Sequence, residues 1–99
     1  MEYLEPWENY ENDSSASEKE LTRELCKEHV LYGVKVKAVA HRCDCDDVLF
    51  ELSNFSHKYA VVHLTFSREK DPSYPSFELY NDIEAWVSGR MKPDNDEYR

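Results

Sequence analysis

The stretches Val34-Lys-Val-Lys-Ala-Val-Ala-His41 and Tyr59-Ala-Val-Val-His-Leu-Thr-Phe66 decide the fold. In the first, apolar residues recur at every second position, the period of a strand with one buried face. Val34, Val36, Ala38 and Ala40 fall on one face; Lys35, Lys37, Val39 and His41 fall on the other. The second stretch is the most apolar of the chain and reads as a central strand. Between them, Asp47-Val-Leu-Phe-Glu-Leu52 predicts a further strand. It is entered through the polar turn Cys43-Asp-Cys-Asp-Asp47 and left through Ser53-Asn-Phe-Ser-His57. Connections this short join antiparallel neighbours, so the three strands make a meander. Beyond the breakers Asp71-Pro72 and Tyr74-Pro75, Phe77–Tyr80 predicts a short fourth strand at the edge.

Helices flank this sheet. Ser17 with Glu20 three residues on forms the pattern of a capping box, predicting a helix over 18–30. Leu21 and Leu25 make its apolar stripe, with Cys26 and His29 beside it, and Gly33 offers a stop. Asn81, followed by Glu84, caps a second helix whose stripe is Ile83, Trp86 and Val87; Pro93 ends it. Trp86 is expected in the core. The order is α-β-β-β-(β)-α. It is an α+β class with a three- or four-stranded antiparallel meander and both helices packed on one sheet face, the small alanines admitting a helix closely. The division is an acidic N-terminal arm over 1–15, a single domain over 16–92 and a polar tail over 93–99. Within the arm, Tyr3, Leu4, Trp7 and Tyr10 recur at helical spacings, which leaves a short docked helix over Glu5–Tyr10 as an option.

Of the 99 residues, 40% are hydrophobic and 13% aromatic, enough to expect a packed core rather than disorder. No apolar run approaches the roughly 18 residues of a membrane span, and the first residues lack a secretory signal's basic and apolar regions. A soluble cytoplasmic protein is expected. Twelve Lys and Arg stand against 21 Asp and Glu, a formal net charge of −9. That balance argues against nucleic acid, which needs a basic face, and against anionic membranes. It suits a basic protein partner. The charge is concentrated: residues 1–20 hold seven acids and one base, net −6.

Three cysteines, Cys26, Cys43 and Cys45, are too few for a secreted disulfide scaffold, so free thiols are expected. His41, Cys43 and Cys45 could supply three zinc ligands, with a fourth from Cys26, His29, His57 or His63. Structural zinc motifs instead pair cysteines two to four residues apart with a distant second pair, so no metal and no cofactor are expected. Cys43 with His63 is a conceivable nucleophile–base pair, but no glycine-rich loop or nucleophile elbow accompanies it. Asp44, Asp46, Asp47 and Glu51 form an acidic run with no base between residues 44 and 54. The run lacks the glycine and distal glutamate of a calcium loop. It reads either as a solvated turn or as a docking face for a cationic partner, with Phe55, Tyr74 and Trp7 as candidate aromatic anchors.

The segments Asp47-Val-Leu-Phe-Glu-Leu and Tyr59-Ala-Val-Val-His-Leu-Thr-Phe-Ser, the Pro72 to Pro75 loop and the Trp86 helix together resemble immunity proteins of contact-dependent or polymorphic toxin systems. The resemblance spans Val34–Trp86. Such proteins are small, acidic, bacterial and cytoplasmic, and neutralise a cognate toxin that is often a nuclease. The resemblance is one of strands and aromatics and transfers no individual residue's role. It implies a non-enzymatic inhibitor of a basic toxin domain; the acidic run and its aromatic neighbours, not the resemblance, offer Asp44, Asp46, Asp47, Glu51, Phe55 and Tyr74 as the partner-binding set. The alternatives are a stand-alone acidic interaction module, or a zinc or thiol enzyme centred on His41, Cys43 and Cys45.

Overall fold

Five strands pair in chain order into one antiparallel sheet: β1 (Trp7–Asn9), β2 (Lys35–Arg42), β3 (Asp47–Ser53), β4 (Tyr59–His63) and β5 (Phe77–Tyr80). The structure, a computed structural model, describes residues 1–10 and 13–99. Helix α1 (Ser15–Glu24) precedes β2, and α2 (Ile83–Trp86) and α3 (Lys92–Tyr98) close the chain. The α+β class and the antiparallel meander agree with the sequence pattern. The strand count does not: the fifth strand is β1, which replaces the expected arm and its optional helix over Glu5–Tyr10. Trp7 pairs with Arg42 and Asn9 with Ala40, and the Trp7 side chain is buried. An indole removed from water is worth a few kcal/mol, enough to hold three otherwise polar residues on the sheet. Glu11, counted with the acidic arm, lies outside the described residues.

The helices do not share a face. Along β2, Ala38 pairs with Phe50 and Ala40 with Leu49, so Val39 is an extra residue in a β-bulge. The bulge puts consecutive alternate residues on opposite sides, and the expected common face of Val34, Val36, Ala38 and Ala40 is split. Ala38 joins Leu21, Phe50, Leu52 and Val62 under α1. Ala40 joins Trp7, Leu49, Val61, Trp86 and Met91 under the C-terminal helix. The sheet is therefore the middle of three layers, which explains why Val48, Leu49 and Phe50 are all buried in succession.

Helix α1 starts and stops earlier than the capping pattern predicts. The Ser17 hydroxyl is hydrogen-bonded to Tyr10 (2.8 Å) and Glu20 is paired with Arg23 (2.8 Å), so neither closes a capping box. Asp13 instead accepts from the Ser15 N–H (2.9 Å) at the entry to the helix. Leu25 is already extended, and residues 26–34 run as successive turns to Gly33, whose φ of +78° is open to glycine at little cost. Buried His29 fixes those turns. Its Nδ1 accepts from the Leu31 N–H (3.0 Å), so its Nε2–H donates to the Pro75 carbonyl (2.9 Å).

The C-terminal helix neither begins at the expected cap nor ends at Pro93. Asp82, not Asn81, accepts from the Ala85 N–H (2.8 Å). After α2 a π-helical turn, Val87–Met91, leads without a break into α3. The Lys92 N–H reaches back to the Val87 carbonyl, five residues earlier. This one-residue register change brings Met91 as well as Trp86 onto the sheet, and it places Pro93 in the first turn of α3, where its missing N–H is not needed. The expected tail over 93–99 is thus a helix with a buried side chain, Asp94.

Trp86 is fully buried, its ring edge-on to Trp7 at 5.1 Å and to Tyr3 at 6.0 Å. Trp86→Ala should cost about 3–5 kcal/mol, the range for large aromatic truncations. Chemical denaturation measures it; a midpoint equal to wild type would contradict this packing.

Candidate partner-binding surface

Asp94 joins the two ends of the chain. Its Oδ2 accepts from the Trp7 indole N–H (2.8 Å) and from Arg90 Nε (3.1 Å), and lies 3.2 Å from Arg42. The Arg90 guanidinium also lies over the Trp7 ring, 5.7 Å from its centroid. Arg90 has further partners in Asp47 (2.7 Å) and Glu78 (2.6 Å), so one cation from the C-terminal helix ties together β3 and β5. Burial alone would push the Asp47 carboxyl up; hydrogen bonds from Arg90 and His63 outweigh it and hold the group below its ordinary value.

These contacts sort the residues singled out in the sequence. Asp44 and Asp46 are exposed in the β2–β3 turn, but Asp44 is held by a two-pronged ion pair to Arg42 (2.8 Å for each prong), which keeps its carboxyl low. Asp47 is occupied internally. Glu51 is exposed four residues along β3 and accepts from the Tyr59 hydroxyl at 3.4 Å. Phe55 lies in the β3–β4 loop, roughly 20 Å from the turn by strand rise, and packs against the core beneath α1. Tyr74 is exposed in the β4–β5 loop, at the side of the sheet away from β1. The six residues do not converge on one patch.

Nor do the candidate chemical groups converge. His41 stacks against Tyr10 at 4.7 Å, while the Cys43 thiol faces the Tyr98 hydroxyl at 3.8 Å. Partial desolvation lifts the Cys45 thiol, which disfavours a thiolate there. All three cysteines are free. His63 is hydrogen-bonded through Nδ1 to Asp47 (2.7 Å), not to Cys43. Among the described residues no group of three or more His, Cys, Asp or Glu is placed to hold a metal ion. No helix among them is long and apolar enough to cross a membrane.

A surface groove of about 860 Å³ runs along β1. Tyr3, Glu5, Glu8, Tyr10 and His41 line it. The Pro6 carbonyl accepts from the Cys43 N–H (2.9 Å), so this groove and the Asp44–Asp46 turn meet at one corner of the sheet. Among the described residues, the carboxylates of Glu5, Glu8 and Asp46 have no ion-pair partner. The sequence signal for this face is the mix of acids and aromatics in Glu2-Tyr-Leu-Glu-Pro-Trp-Glu-Asn-Tyr10, which becomes a face only because residues 7–9 pair as a strand. No protein-family model, curated protein or solved structure matches the chain.

Two substitutions probe the charge network. Asp94→Ala strands an indole N–H and deprives two largely buried guanidiniums of a partner, and should cost about 3–5 kcal/mol by denaturation. Asp47→Asn should cost about 2 kcal/mol at neutral pH. The depressed Asp47 carboxyl contributes stability that is complete above its unfolded value, near pH 4, and is lost as the pH falls through its lower folded value. The gap between wild type and Asp47→Asn should therefore close on acidification, as read from melting curves over a pH series. A gap that stays constant would contradict the ionic origin of the effect.

Proposed function

We propose that this chain is a non-enzymatic inhibitor that binds a basic partner protein, a cognate toxin domain of the nuclease type, in the cytoplasm. The observation that carries the reading is the acidic, aromatic-lined groove along β1. Glu8 sits on the ordered edge strand and Glu5 in the turn that leads into it, and among the described residues neither carboxylate is spent on an ion pair. A nuclease cleft is cationic because it must hold phosphates. A rigid row of carboxylates can occupy such a cleft, speeding encounter and fixing orientation at little ordering cost. Tyr3 and Tyr10 supply the apolar contact that charge alone lacks. Asp44 and Asp46 adjoin this groove and belong to the proposed face; Asp47 is engaged within the fold by Arg90 and His63. The resemblance to immunity proteins points the same way.

The test is protection of cells expressing a toxin encoded beside this gene. Wild type should protect, and Glu5→Lys with Glu8→Lys should not, while the variant melts like wild type because both residues are exposed. Wild-type association should slow as salt is raised, since exposed charges are screened beyond about 8–10 Å. Full protection by the variant, with salt-independent binding, would overturn the proposed face.

A further inference from the structure

A second groove, of about 580 Å³, lies where the end of α1 meets the segment 68–70. Arg23, Lys27, Arg68 and Lys70 line it, which is four of the chain's twelve basic residues in a protein of net charge −9. Only Arg23 is paired, with Glu20; among the described residues the other three have no carboxylate within ion-pair distance. Leu25 and Cys26 are partly buried along the groove, and Tyr32 beside them is 49% exposed. An apolar lining under unpaired cations is the reverse of the β1 groove in charge. It lies at the other end of α1, roughly 15 Å away by helix rise.

The groove is built rather than incidental. Glu24, fully buried, points its carboxylate into the loop that follows β4. Its Oε1 accepts from the Thr65 N–H (2.9 Å) and hydroxyl (3.1 Å), and its Oε2 from the Phe66 N–H (2.9 Å). The Glu24 carbonyl accepts from the Glu69 N–H (3.2 Å). These four bonds fasten residues 65–69 to the end of α1 and hold Phe66 at a φ of +57°, a conformation that costs a non-glycine residue free energy. Arg68 and Lys70 are thereby set opposite Arg23 and Lys27.

We propose that this groove docks an acidic peptide segment of a partner protein, with an apolar residue of the segment against Leu25 and Tyr32. Charge complementarity selects the occupant. Two carboxylates, Glu28 and Glu69, also line the groove, and they oppose a continuous row of phosphates, whereas a peptide can set a neutral residue opposite each. A second copy of the chain would bring another −9 of charge and meet long-range repulsion. The site is independent of the β1 face, so either can fail alone.

The probe is a short polyglutamate peptide with one central phenylalanine, titrated against the full chain at low salt. Saturable binding is expected, weakened about tenfold by Lys27→Glu with Lys70→Glu and by a rise to physiological salt. Both lysines are exposed, and melting curves of the variant should match wild type. Cys26 gives the location. Peptide should slow its alkylation severalfold, mapped by mass spectrometry, and leave Cys43 and Cys45 at their free rates. Absence of binding, binding untouched by the charge reversals, or unprotected Cys26 would overturn the proposal. So would equal affinity for a single-stranded oligonucleotide, or self-association abolished by the same substitutions, which would give the groove to another occupant.

Discussion

Asp94 makes one structure of the two chain ends. Its carboxylate receives the Trp7 indole from β1 and faces the guanidiniums of Arg42 and Arg90. The carboxylate accepts from three converging donors and pairs its charge with theirs, the condition under which buried ions are tolerated. Remove this junction and the Trp7 indole N–H loses its partner, which weakens the hold of β1 on the sheet and the cover that Trp7 gives Trp86. The acidic groove depends on it in turn, because Glu8 lies on the strand that Trp7 anchors and Glu5 in the turn just before it.

A second constraint is the position of the bulge at Val39. With an unbroken alternation, β2 would present Val36, Ala38 and Ala40 to a single helix. The extra residue divides them, so the small alanines serve both layers: Ala38 beneath α1 and Ala40 beneath the C-terminal helix. The π turn does the matching work on the helix side. It sets Trp86 and Met91 together on the sheet and still aims Asp94 at Trp7. Two local irregularities, each one residue in size, bring the two chain ends to the same place.

The β2 to β5 meander was legible because strand-forming apolar runs and turn residues alternate along residues 34–80, with Phe77–Tyr80 read to the residue, although the bulge at Val39 breaks the single face that the period of β2 predicts. The burial of Trp86 was legible for the same reason. The three-layer arrangement has its sign in the sequence: Val48-Leu-Phe50 and Ala60-Val-Val62 are unbroken apolar runs, which a sheet covered on one face does not need. β1 was hidden because Trp7-Glu-Asn9 has no strand period; only a partner distant in sequence makes it one. Pro93 misled because its usual effect, breaking the helix, is cancelled by a register change that no local pattern announces. Of the proposed face, the acidic character of the first ten positions was visible, but their order was not. Asp47 looked like a surface charge because its partner Arg90 is remote in the chain. The carboxylate of Glu24 was equally silent, since nothing in the sequence marks the backbone amides of Thr65 and Phe66 as its partners.

Rigid presentation of the acidic edge requires that β1 open only when the whole molecule opens. Native-state hydrogen exchange reads this at two protons, the Trp7 indole N–H bonded to Asp94 and the Cys43 amide bonded to the Pro6 carbonyl. Both should exchange with the same opening free energy as the amides of β3 and β4, through global unfolding. Exchange of these two protons orders of magnitude faster than β3, by local release of the first ten residues, would contradict a folded N-terminal edge and remove the basis of the proposed binding surface.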